Sequence, residues 1–163
     1  MTIVKLLLAI TWAASLAAAQ TQLSGMAQCP LKPTESYSLE VGDRPGHTYE
    51  ISKGPCTWTK PMEIAGLKSK DQTGVWFSEI DGNKSQTHGS GVVSMDNGDK
   101  FYFRNQAAST MKDQKTGSGE ATFTFTGGTG KLKGLKGKGT YKCTPEGDNV
   151  NCDVQGEYSL PSR

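Results

Sequence analysis

From Glu35 onward, apolar and polar residues alternate in short runs, and glycine, asparagine and aspartate separate one run from the next. Alternation with a period of two places successive side chains on opposite faces of a strand, whereas an amphipathic helix repeats near every 3.6 residues. The stretch "ESYSLEV" puts Tyr37, Leu39 and Val41 on one face, and "HTYEIS" does the same for Tyr49 and Ile51. "TGVWFSEIDGN" reads as a strand ended by the Asp81-Gly82-Asn83 turn. "HGSGVVSM" runs into Asp96-Asn97-Gly98-Asp99, the strongest hairpin signal in the chain, and "KFYFRN" returns from it. "GEATFTFTGG" alternates most cleanly, with Ala121, Phe123 and Phe125 inward and Glu120, Thr122, Thr124 and Thr126 outward. "KGKGTYKC" and "CDVQGEYSL" form the last pair. No helical period is sustained after the leader. About eight short strands at near-regular spacing predict one all-β domain, an antiparallel β-barrel, with a two-sheet sandwich as its competitor. Two stretches fall outside the pattern: residues 107–115, "AASTMKDQK", predict an exposed loop, and residues 20–28 predict a loose N-terminal tail. The expected organisation is a leader over 1–19, an N-terminal segment over 20–34 and the barrel over 35–163.

The leader is defined by Lys5, the apolar stretch "LLLAITWAASLAAA" and the small triplet Ala17-Ala18-Ala19. A basic start, an apolar run and an A-x-A site describe a secretory signal peptide cleaved after Ala19. The run is short of the roughly 20 apolar residues that span a bilayer, and no second one follows. The chain is therefore expected to be exported, to a periplasm or the extracellular space.

Export changes the meaning of the four cysteines, Cys29, Cys56, Cys143 and Cys152. An even number in an oxidising compartment points to disulfides. There is no C-x-x-C pair, and only His47 and His88 are available to assist, so no metal site is assigned. Cys143 and Cys152 bracket the turn-rich "TPEGDNVN" and can face each other across a hairpin, which leaves Cys29 with Cys56. Charge adds little: 18 basic and 16 acidic residues leave a formal net charge of +2, no field that would gather nucleic acid.

One segment, Gly127 to Lys142 ("GGTGKLKGLKGKGTYK"), invites a ligand-binding reading. A Walker A loop fails, because the first glycine position before Gly130-Lys131 is Phe125 and the last is Leu132. A dinucleotide loop fails too, because Lys133 stands where its third glycine is needed. As a basic patch, Lys131, Lys133, Lys136, Lys138 and Lys142 lack the interleaved aromatics of a nucleic-acid groove. As a strand it fits: Leu135, Gly137, Gly139, Tyr141 and Cys143 share one face, and Lys136, Lys138, Thr140 and Lys142 share the other. Inward glycines suit a tightly curved sheet.

The spacing Gly127-Gly128-Thr129-Gly130-x-Leu132, followed by Gly137, resembles the glycine turn of the allene oxide cyclase and dirigent-like barrels. With "MDNGDKFYFRN" upstream, the same tail resembles small exported bacterial proteins of unassigned function. The resemblance covers the C-terminal half and implies a closed antiparallel barrel with an apolar interior. Those plant families guide cyclisation or coupling of hydrophobic substrates, but their cavity residues do not map onto this chain, so no catalytic set is carried over.

Candidate chemistry is correspondingly sparse. His47 and His88 lack partner motifs and read as surface or turn residues, and Ser90 fails the G-x-S-x-G elbow. Asp96, Asn97 and Asp99 lack the rest of a calcium loop. Glu79 and Asp81 share a strand face, and Asn83-Lys84-Ser85 is a glycosylation sequon relevant only in a eukaryotic host. The aromatics are more suggestive. Trp76, Phe101, Phe103, Phe123 and Phe125 share the inward parity, either as packed core or as the lining of a ligand cavity. The leading functional reading is a non-catalytic exported barrel that binds a small hydrophobic molecule through these five rings or serves as an envelope or surface protein, without a cofactor. One alternative is a cyclase or isomerase with Glu79, Arg104 or His88 at the cavity mouth. The other is a glycan- or anionic-surface binder using the lysines of 131–142.

Overall fold

The computed structural model describes residues 20–110 and 119–161; the expected signal peptide lies outside them. Ten strands form one antiparallel sheet: β1 (Thr21–Pro30), β2 (Glu35–Glu40), β3 (His47–Lys60), β4 (Glu63–Ile64), β5 (Leu67–Asp81), β6 (Lys84–Met95), β7 (Lys100–Thr110), β8 (Gly119–Gly128), β9 (Lys136–Glu146) and β10 (Asn149–Ser159). The pairing order β3-β1-β10-β9-β8-β7-β6-β5 closes through β3–β5, which makes an eight-stranded barrel rather than a sandwich. β2 continues the line of β1 along the same edge of β3, and β4 folds back on the start of β5.

Two expectations about irregular segments are corrected. Residues 20–28 are not a loose tail: β1 pairs with β10 from Thr21↔Tyr158 to Pro30↔Asn149 and with β3 near Ala27↔Trp58. Its inward residues Leu23, Gly25 and Ala27 are small or aliphatic and buried, a weak alternation because glycine and alanine carry little apolar signal. Residues 107–110 are not loop either; they extend β7, with Ala107 opposite Ala121 and Ser109 opposite Gly119. The remainder of that expected loop, 111–115, lies outside the described residues.

The glycines make the barrel's curvature compatible with large rings. A Cβ on Gly139 would lie 2.5 Å from the Phe123 ring, one on Gly91 2.4 Å from Phe103, and one on Gly89 2.3 Å from Trp76. Each aromatic thus occupies the space that a side chain on its neighbouring strand would have filled.

One end of the barrel is sealed. Met62, Ile64, Leu67, Met95, Leu132 and Leu135 are at most 5% exposed and close over Phe101 from the β4 hairpin, the β6 terminus and the segment after β8. The Gly127–Gly130 turn is part of this seal. Asp99 Oδ2 accepts the Lys131 N–H at 3.0 Å, and Thr129 Oγ1 accepts the Lys100 N–H at 2.9 Å. A Cβ on Gly130, at φ +51°, would collide with the Asp99 carboxylate 1.9 Å away, so this turn requires glycine. The Asn97 amide, reinforced by the Lys131 N–H, holds the Asp99 carboxyl below its ordinary pKa. The motif is architecture.

Candidate functional site

Above the seal lies a cavity of about 350 Å³. All five sequence-nominated rings, Trp76, Phe101, Phe103, Phe123 and Phe125, line it. They come from β5, β7 and β8 because inward parity repeats every second residue on strands that pair directly or through β6. Phe123 and Phe125 meet edge to face at 5.3 Å, and Phe101 meets Phe125 the same way at 5.2 Å. Trp58, Tyr141, Val93 and Val154 complete the apolar wall. Trp58 was not nominated from the sequence, although "PCTWTK" places it on the parity of Cys56.

The disulfides are the expected pairs and belong to this region. Cys29–Cys56 ties β1 to β3, and Cys143–Cys152 ties β9 to β10. Cys29, Cys143 and Cys152 form part of the cavity wall.

Polar atoms in the lining are few. Gln72 contributes one polar side chain, and the Tyr141 hydroxyl accepts an amide N–H from Asn105, which lies behind the lining and is 4% exposed. Burial pushes the Tyr141 pKa up to about 12, against the smaller opposing effect of Asn105, so the phenol stays neutral and the wall carries no charge there. Trp58 Nε1 is buried without a partner among the described residues. An unmade hydrogen bond of this kind costs on the order of 1–3 kcal/mol.

The residues nominated for catalysis are placed elsewhere. The strand register puts Glu79, His88 and Arg104 on the opposite parity from Trp76, Gly89 and Phe103, on the outer surface of the barrel. His88 and Arg104 are exposed there. Glu79 instead belongs to an external polar cluster. His47 Nδ1 meets Asp43 at 2.6 Å and Nε2 meets Glu79 at 3.1 Å, while Arg44 grips Asp81 with two hydrogen bonds of 3.1 and 2.7 Å. The expectation that His47 is a surface residue is thereby corrected: it is only 6% exposed, covered by the Asp43–Arg44 loop. The Asp43 contact, reinforced by Glu79, raises the His47 pKa above its ordinary value against the burial that opposes it. The sequon residue Asn83 is exposed in the β5–β6 turn.

The lysines of 131–142 do not make one basic face. Lys131 and Lys133 sit at the sealed end, and Lys138 and Lys142 lie on β9 directly opposite Glu157 and Asp153 of β10. Lys142 also pairs with Glu120 at 3.0 Å. Cross-strand neighbours of opposite charge cancel most of the local field.

No protein-family model matches the sequence, and no curated protein matches it significantly. Solved structures do resemble the fold. A protein of unknown function from the DUF3224 family of Shewanella oneidensis MR-1 aligns over 88% of this chain and 100% of its own, with TM-score 0.53 and 18% identity. The pterocarpan synthase dirigent protein GePTS1 aligns over 91% of this chain and 90% of its own, with TM-score 0.52 and 14% identity. At these identities the likeness is one of fold, and it agrees with the dirigent-like barrel implied by the glycine turn. The interior of an eight-stranded barrel is just wide enough to be filled by side chains or to hold one small ligand.

Proposed function

We propose that this protein is an exported barrel that binds a small apolar molecule in its interior without transforming it. The observation that carries the reading is the convergence of five inward rings on a cavity of about 350 Å³ above a sealed end. Ligand pockets of drug-sized molecules occupy roughly 300–1,000 Å³, and a dry cavity of about 150 Å³ already accepts benzene. A body of two or three rings, or a medium alkyl chain, matches the space. Export is supported by the leader-like residues 1–19 and by two disulfides. Among the described residues, no helix is long and apolar enough to cross a membrane. The outward placement of Glu79, His88 and Arg104 counts against the cyclase or isomerase alternative built on them, and the paired charges on β9 and β10 count against a glycan or anionic-surface binder.

Native mass spectrometry of the protein purified from its source tests the reading. A co-purifying small apolar molecule is expected, and it should be lost on Trp76→Ala or Phe103→Ala while the fold is retained. A protein that carries no such molecule and accepts no apolar probe would leave only a structural or surface role.

A further inference from the structure

Toward the open end of the barrel the cavity is adjoined by a smaller chamber of about 180 Å³, and Cys29 and Trp76 line both spaces. The wall changes character there. Trp76 remains, and beside it the phenylalanines give way to Glu50, Ser52 and Gly54 of β3 and to Pro30, Leu31, Pro33 and Pro55. Glu50 lies on the inward parity of β3, shared with Cys56 and Trp58, and its partners in register are Ser38 on β2 and Ser78 on β5. Glu40, opposite Thr48, repeats the negative charge one step further out on the same face. Among the described residues, no lysine or arginine forms an ion pair with Glu50. The strand basic residues nearest to it in sequence and register, Lys53 and Lys84, have the opposite parity, and Lys53 pairs outside with Glu35 at 2.9 Å.

We propose that the barrel selects an apolar cation: an alkyl or aryl ammonium whose body fills the ring-lined cavity and whose positive nitrogen meets Glu50 beside the Trp76 indole. The inference rests on the cavity reading and adds the charge of the ligand to it. Three physical arguments converge. A carboxylate in the wall of a low-dielectric cleft attracts ions of the opposite sign. An indole at the junction attracts a cation held over its face. A neutral ligand reaching into the chamber would displace water from Glu50 without replacing its charge partner, and an anionic one would add repulsion.

The test uses three ligands with the same ten-carbon chain and different heads: decyltrimethylammonium, decanol and decanoate. Trp58 and Trp76 both line the cavity, so intrinsic fluorescence of the oxidised protein reports each titration, with calorimetry as a check. The ammonium ligand should bind roughly 1.5-fold to fivefold more tightly than decanol, the range of a solvent-screened charge pair, and decanoate should bind most weakly. Added salt should erode the ammonium preference and leave decanol unaffected. Glu50→Gln should abolish the preference while decanol affinity and the unfolding midpoint stay unchanged, which separates loss of charge from loss of fold. Equal affinities for all three heads, or an ammonium preference that survives Glu50→Gln, would overturn the charge inference and leave the apolar cavity standing. Failure of all three ligands to bind would overturn the cavity reading and this inference with it.

Discussion

The two ends of the barrel are built on opposite principles. At the sealed end, apolar side chains point inward and vanish from solvent: Ile64, Leu132 and Val93 are 0% exposed. At the open end, the inward parity of β3 carries Thr48, Glu50 and Ser52, and the apolar residues face out. Tyr37, Leu39, Ile51 and Phe77 are 47–65% exposed, and Tyr49 stacks on Phe77 at 5.3 Å on the outer surface. The strand "HTYEIS" therefore corrects any reading of its apolar face as core. A strand without a bulge keeps one parity along its whole length, and on β3 the deep half settles it: Gly54, Cys56 and Trp58 must face the interior, which turns Tyr49 and Ile51 outward. Alternation identifies faces. It does not say which face is inside.

The largest expected effect separates these ends by stability. Phe101→Ala at the seal should cost about 3–5 kcal/mol, the usual loss for a buried phenylalanine. Phe77→Ala on the outer surface should cost well under that, about 1 kcal/mol or less, because half of the ring is already in water. Denaturant unfolding of both variants gives the comparison directly. Similar losses would mean that Phe77 is covered by a partner in solution.

A smaller effect tests what holds the open half together where packing is thin. Removing Cys29–Cys56, which spans 27 residues, should cost about 3–4 kcal/mol as a Cys→Ser pair. Removing Cys143–Cys152, which spans 9 residues, should cost about 2–3 kcal/mol. Chemical denaturation should rank the two in that order. The reverse order would show that the chain-entropy account does not govern this barrel. Intact mass with and without reductant checks that both bonds are present in the secreted protein.

The smallest effect concerns pH and the external cluster. His47 has a raised pKa, so its contribution is fully present below the ordinary histidine value near 6.5 and is lost as pH rises through the raised one. Asp43 and Asp81 have lowered values, the first through His47 and the second through Arg44. Their contributions are present above the ordinary value near 3.9 and are lost as pH falls through the lowered ones. The thermal midpoint should therefore be highest between about pH 4 and 6.5 and decline on the alkaline side. His47→Gln should flatten that alkaline decline. A decline unchanged in the variant would assign it to other groups.

Much of this molecule is legible in its residues alone. Alternation in "GEATFTFTGG", the Asn97-Gly98 turn and the Gly/Lys alternation from Leu135 to Cys143 each follow from the geometry of a strand, which is local and repeats every two residues. The five inward rings and both cysteine pairs are legible for the same reason, because parity and hairpin spacing are one-dimensional properties. Closure was not. Sandwich and barrel share the same alternation, and only the β3–β5 and β1–β10 pairings, between strands far apart in sequence, decide between them. The same long-range register turned Glu79, His88 and Arg104 away from the interior and placed Glu50 at its mouth. A carboxylate within "HTYEIS" looks like any solvent-facing residue until the partners of its strand are known. Side-chain periodicity is written in the chain, but the choice of the inner face is a collective property of all the strands that close around it.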